Sequence, residues 1–143
     1  MRELFKRVFK KEEGFSLIEL IIVIAILAII AAIAVPTLLA NIRRANEGTD
    51  IANAKLIADS ISTTIAQNPE YEGVVIALDF VTSGGASDAE EVVDLAVASF
   101  TGAVPVLKAS SYGTVGSNYE VTTTAAGAVT VVSDTGTVLY PRP

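Results

Sequence analysis

The sequence contains no cysteine, no histidine and no tryptophan. Thiol nucleophiles, Cys/His zinc sites, haem ligation by either residue and serine–histidine relays are therefore excluded. Charge is also sparse, at 18% of residues, where soluble domains carry about 25%. What charge there is leans acidic: 16 Asp and Glu against 10 Lys and Arg leave a net charge of −6. Phosphate contacts need a surplus of basic side chains, so direct nucleic-acid binding is not expected. The lack of cysteine leaves an exported life open. With aromatics at 6% and no convergent catalytic set, the composition points away from an enzyme, and no cofactor is expected. A length of 143 residues suits one domain plus an extra element.

What the chain does have is apolar surface, 51% of its residues, concentrated at one end. Residues 1–14 hold five basic residues (Arg2, Lys6, Arg7, Lys10 and Lys11) and three acidic ones (Glu3, Glu12 and Glu13). From Phe15 to Ala40 there are 26 residues with a single charge, Glu19, and the run Leu20–Ile42 has none. At about 1.5 Å per residue the stretch spans roughly 39 Å, more than the ~30 Å of a bilayer's hydrocarbon core. It reads as a membrane-spanning helix. The basic leader, with Lys6, Arg7, Lys10 and Lys11 closest to the span, predicts a cytoplasmic N-terminus and an exported remainder.

Glu19 is the odd residue of the run. Leu20–Val35 contains eleven Leu, Ile or Val residues, each favouring insertion by about 0.3–0.6 kcal/mol against about 2.5–3.5 for a central charge. Insertion therefore wins. An acid near the interface is merely tolerated; an acid within a membrane helix also marks a specific partner.

These residues carry a family resemblance. The stretch Lys10-Lys11-Glu12-Glu13-Gly14-Phe15-Ser16-Leu17-Ile18-Glu19, followed by the apolar run and Pro36, resembles the class III signal of type IV pilins and pseudopilins. The resemblance implies cleavage by a membrane prepilin peptidase after Gly14, and N-methylation of the new Phe15 amine by the same enzyme. It implies that Phe15 and Glu19 act in assembly, the Glu19 carboxylate pairing with the Phe15 amine of a neighbouring subunit. It also implies an assembly ATPase and a polytopic platform protein as partners. The residues themselves agree in part: Gly14 lets a peptidase approach its carbonyl closely, and Phe15 and Glu19 stand one helical turn apart. An amine and a carboxylate in apolar surroundings attract strongly, whether within one chain or between two.

An ordinary secretory signal is the competing reading. Ala32-Ile33-Ala34 supplies an Ala-x-Ala cleavage pattern, but the apolar segment exceeds the usual ~7–15 residues and begins with an acid.

Beyond the span the pattern becomes one-sided. Leu38, Ile42, Ala45, Ile51, Ala54, Ala58, Ile61 and Ile65 follow helical spacing, with Arg43, Arg44, Glu47, Asp50, Lys55 and Asp59 largely on other faces. Asn68-Pro69 stops the helix, because a residue before proline avoids helical angles. One helix over 16–67 would be roughly 78 Å long. Pro36 removes a hydrogen bond to Ala32 and predicts a kink or local loosening. The expected organisation is a cleaved leader (1–14), an assembly helix (15–40), its amphipathic continuation (41–67) and a head (68–143).

In the head, Ser87-Asp88-Ala89-Glu90 has capping-box spacing and predicts a short helix to about Phe100. The αβ region would run over 68–103. An antiparallel sheet would follow over about 104–140, with β-type segments at Val104–Lys108, Tyr119–Ala125, Ala128–Ser133 and Thr137–Tyr140. Pro105 makes the first of these an edge strand at best. The class is α+β, a long helix on a small antiparallel sheet, which is also the pilin plan. Without cysteine the head lacks the disulfide-closed loop of many Gram-negative pilins. The acidic group Asp88, Glu90, Glu91 and Asp94 reads as a solvated face at a helix N-terminus, and no metal is expected.

Together these readings predict a structural subunit of a type IV pilus-like filament, held in the bacterial cytoplasmic membrane as a precursor and assembled with copies of itself outside. Leader removal would take the net charge from −6 to −8. A pseudopilin of a type II secretion or DNA-uptake system shares every N-terminal feature. A membrane-anchored or signal-cleaved binding module is the remote alternative.

Overall fold

The computed structural model describes residues 15–81, 85–100 and 103–141. A single helix, α1 (Leu17–Gln67), is followed by a short 3-10 turn (Pro69–Tyr71), strand β1 (Ala77–Asp79) and helix α2 (Asp88–Ala98). Strands β2 (Glu120–Thr123), β3 (Val129–Val132) and β4 (Val138–Tyr140) complete the order. The class is α+β, as the patterning implies. Two units are distinguished, residues 1–40 and 41–143, and each is described separately.

In the first unit the described chain is helical from Leu17, and the helix runs on through Pro36. All 17 large apolar residues from Phe15 to Ile42 are exposed; Ile42 itself belongs to the second unit. The segment has the length and composition to cross a membrane. Each such side chain left in water forgoes about 1.5–3 kcal/mol of burial, so a lipid or protein environment is required.

In the second unit α1 contributes one face to a core. Ala54, Ile57, Ala58, Ile61 and Thr64 are buried on it, at spacings of three and four. They pack with Ile76, Phe80, Val92, Val93, Tyr119, Val121, Val131 and Leu139. Phe80 and Phe100 meet edge to face, with ring centroids 5.6 Å apart, a favoured arrangement of ring quadrupoles. Asp50 departs from the expectation drawn for it. It lies on the buried face and is fully inaccessible, because the head supplies it with three donors.

The helix ends where Asn68-Pro69 predicts it, and α2 begins at its predicted cap. The Ser87 hydroxyl accepts the Glu90 N–H while the Glu90 carboxylate accepts the Ser87 N–H, closing both halves of the capping box. The carboxyl of Glu90 is held below its ordinary range by the Ser87 hydroxyl first, then by the Ser87 backbone N–H.

The sheet of the described residues is antiparallel in the order β1-β2-β3-β4. Register pairs Leu78 with Val121 and Val121 with Val131. Val121, Thr123, Val129 and Val131 point into the core while their neighbours do not, the period of two expected of a half-buried sheet. Thr123 is the polar member of that set. Its hydroxyl accepts the Ile76 N–H and donates to the Val74 carbonyl, both at 2.8 Å.

One strand differs from the sequence expectation. Residues 104–108 are not a strand; the fourth strand is Ala77–Asp79, which precedes α2. Pro105 has no N–H to offer a ladder, and Asp50 takes the Lys108 N–H. Only Leu107 keeps sheet-like bonds, to Ser117 and Gly116. The other three predicted segments hold strands in slightly shorter form.

Candidate functional site

Of the residues that the sequence singles out, Phe15 and Glu19 lie at the start of α1 and Pro36 lies within it. Lys6, Arg7, Lys10, Lys11 and Gly14 lie outside the described residues. Phe15 is 81% exposed and precedes the first helical turn. The Ser16 carbonyl accepts the Leu20 N–H, so Ser16 occupies the N-cap position. The Glu19 carboxylate, three residues on, accepts the Ser16 backbone N–H at 2.9 Å.

This is the carboxylate half of a capping box. It satisfies one of the donors that every helix start leaves unpaired, and it places negative charge at the positive end of the helix dipole. The spacing Ser16-Leu17-Ile18-Glu19 is itself the sequence signature of such a box. In the described chain Phe15 carries a peptide nitrogen, not a free amine. Glu19 therefore has a local partner at the position where cleavage would create a terminal amine next to Ser16.

Around Pro36 the backbone is helical on both sides. Pro36 has no N–H to donate. The neighbouring Thr37 hydroxyl donates to the Ile33 carbonyl at 3.2 Å, the back-bonding that hydroxyl residues use in apolar helices.

The second polar constellation was not singled out by the sequence. Asp50 accepts the Lys108 N–H at 2.9 and 3.1 Å, the Ala109 N–H at 2.7 Å and the Tyr119 hydroxyl at 2.9 Å. Asn53 donates to the same Tyr119 oxygen at 3.3 Å. Asn46 donates to the Lys108 carbonyl, and the Ser111 hydroxyl donates to Glu47. Burial, and then Asp50 beside it, push the Tyr119 phenol well above its ordinary range. A phenol kept neutral and a carboxylate saturated with donors make a fastening, not a proton-transfer pair.

The acidic group at the start of α2 divides its work. Glu90 closes the capping box. Glu91 lies against the Tyr71 hydroxyl, whose ionisation is pushed up by burial first and by Glu91 next. Among the described residues no cluster of three or more Asp and Glu could hold a metal ion.

Residues 9–35 match the prokaryotic N-terminal methylation motif, the class III signal of type IV pilins and pseudopilins. No curated protein and no solved structure matches the chain.

Proposed function

We propose that this chain is the structural subunit of a type IV pilus-like surface filament, made as a membrane-inserted precursor. A prepilin peptidase cleaves between Gly14 and Phe15 and methylates the Phe15 amine. The mature chain then polymerises through its N-terminal helix. The observation that carries the reading is the methylation motif at 9–35 joined to an apolar helical stretch, Leu17–Ile42, in which no residue is buried. Such a helix needs lipid before assembly and the helices of other copies after it. Repeating one head-to-tail contact without closure produces an open filament. An external ATPase and a platform protein would drive assembly, and Pro36 would let the helix adjust as it packs.

The alternative, a pseudopilin of a secretion or DNA-uptake system, uses the same N-terminal chemistry. Imaging filaments on producing cells and sequencing their subunits separates the two: filaments made mainly of this chain support the pilus reading, and filament-free cells overturn it. Mass spectrometry of the mature N-terminus is expected to find methylated Phe15. A start at Val35 would replace this reading with ordinary signal cleavage. Gly14→Val should insert normally and remain uncleaved, because a branched side chain obstructs the cleft beside the scissile bond.

A further inference from the structure

We infer that the groove between Arg43 and Lys108 holds the phosphate headgroup of an anionic phospholipid while the chain resides in the membrane. The inference rests on membrane residence of the apolar helix and is independent of filament assembly. Arg43 is the first charge after the uncharged run Leu20–Ile42. That run is about 34 Å long as a helix, close to the ~30 Å hydrocarbon core, so Arg43 emerges in the headgroup layer.

Five basic residues would remain after leader removal: Arg43, Arg44, Lys55, Lys108 and Arg142. The fold brings two of them, 65 positions apart, to the walls of one cleft of about 590 Å³. Asn46, Glu47, Ser111 and Val115 share that lining.

The cleft is built and not incidental. Its 108–111 wall is tied to α1 through Asp50, through the bond from Asn46 to the Lys108 carbonyl and through the bond from Ser111 to Glu47. Among the described residues the only acid lining it, Glu47, already accepts the Ser111 hydroxyl at 2.8 Å. Asp50, behind the wall, is saturated by backbone and phenol donors. Two basic residues and one engaged carboxylate thus line the cleft, on a chain whose net charge is otherwise acidic. Val115 adds an apolar side chain, 61% exposed, to the same lining. An exposed apolar residue beside two cations suits the boundary between phosphate and acyl chain.

The test uses the full chain in nanodiscs of mixed phosphatidylglycerol and phosphatidylcholine, with retained lipid read by native mass spectrometry. Phosphatidylglycerol should be retained in preference. Each cation at an anionic surface contributes about fivefold in affinity, so Arg43→Gln/Lys108→Gln should lower retention by about tenfold or more. Lys55→Gln, outside the groove, should change nothing, and Glu47→Gln should raise retention. Equal retention of the two lipids, or a double variant that retains like the parent, overturns the proposal. So does equally tight binding of soluble glycerol 3-phosphate, which would make this a small-anion site. Arg43-dependent dimers displacing the lipid would assign the groove to a second copy and overturn it as well. Failure of the parent to float with vesicles would instead remove the membrane reading beneath it.

Discussion

The carboxylate of Asp50 and the phenol of Tyr119, 69 positions apart, meet at 2.9 Å inside the core. One belongs to the long helix and the other immediately precedes β2. With the Lys108 and Ala109 N–H groups on the same carboxylate, this single side chain holds the irregular segment before the sheet against the helix. A buried charge is costly unless its lone pairs are filled, and here they are. The residue that looks least suited to the buried face is the one that joins the long helix to the segment before β2.

Removing either partner should therefore separate a lost bond from orphaned donors. Tyr119→Phe deletes one donor and leaves the backbone bonds, with an expected cost of about 1–3 kcal/mol. Asp50→Ala leaves two buried N–H groups and a phenol without their acceptor, and should cost about 3 kcal/mol or more. Urea unfolding of the full chain in detergent, followed by tyrosine near-UV dichroism, ranks them. Equal stability of Asp50→Ala and the parent would show that the carboxylate fastens nothing.

The pH profile carries the same information from the other side. Folding raises the ionisation of Tyr119 above its ordinary value of about 10, so the folded state binds this proton more tightly than the unfolded state. Its contribution is complete below about pH 10 and is lost as pH rises through the folded value. Glu90 and Asp134 run in the opposite direction. Asp134 is depressed by the Thr114 backbone N–H first and the Ser117 hydroxyl next, and Glu90 by its cap. Their contributions are present above about pH 4 and fade as pH falls through the depressed values. Asp134 is exposed and Glu90 partly so, which keeps these effects small. Urea midpoints across pH should fall at both ends, and Tyr119→Phe should flatten the alkaline limb relative to the parent.

Gly113 is expected to resist substitution. Its φ of +145° lies where L side chains rarely go, and a Cβ there would stand 2.9 Å from the Asp134 Cβ. Gly113→Ala should cost about 1–3 kcal/mol and draw Asp134 away from the Thr114 N–H and Ser117 hydroxyl. Loss of the depressed Asp134 titration by NMR, together with a lower melting temperature, is the expected result. Gly116→Ala, where no atom lies within 4 Å of a built Cβ, should keep that titration.

Much of this fold was legible because local rules decide it. The stop at Asn68-Pro69, the box at Ser87–Glu90 and the β-type segments after Tyr119 follow from backbone sterics and short spacings. Asp50 and Val104–Lys108 depart from what their sequence patterns imply for one shared reason. A carboxylate at a helical position reads as solvent-facing until its donors are known, and those donors come from 58, 59 and 69 residues downstream. The same long-range bonds keep the segment around Pro105 from pairing, and the strand needed instead comes from Ala77–Asp79. At the candidate site the motif residues were legible by type and spacing. The local use of Glu19 as a helix cap was missed, although the Ser-x-x-Glu spacing announces it.

Two roles for Glu19 can be separated by two substitutions. As a helix cap, Glu19 needs only an oxygen to accept the Ser16 N–H. As the partner of a neighbouring Phe15 amine, it needs a negative charge. Glu19→Ala removes both, whereas Glu19→Gln keeps an acceptor oxygen and drops the charge. If capping were the whole role, Glu19→Gln should assemble like the parent. If the charge pairs with an amine, both variants should insert, be cleaved at Phe15 and fail to assemble. An ammonium left without its partner in an apolar interior costs several kcal/mol, typically about 3–5. That loss would recur at every subunit, so even its lower end suppresses growth. Either variant should sit in the membrane at least as well as the parent, since an acid in the span disfavours residence there. The expected result is processed, membrane-retained Glu19→Ala and Glu19→Gln protein with few or no filaments. Abundant filaments from Glu19→Gln, in cells making no other pilin, would assign Glu19 to capping alone and falsify the pairing role.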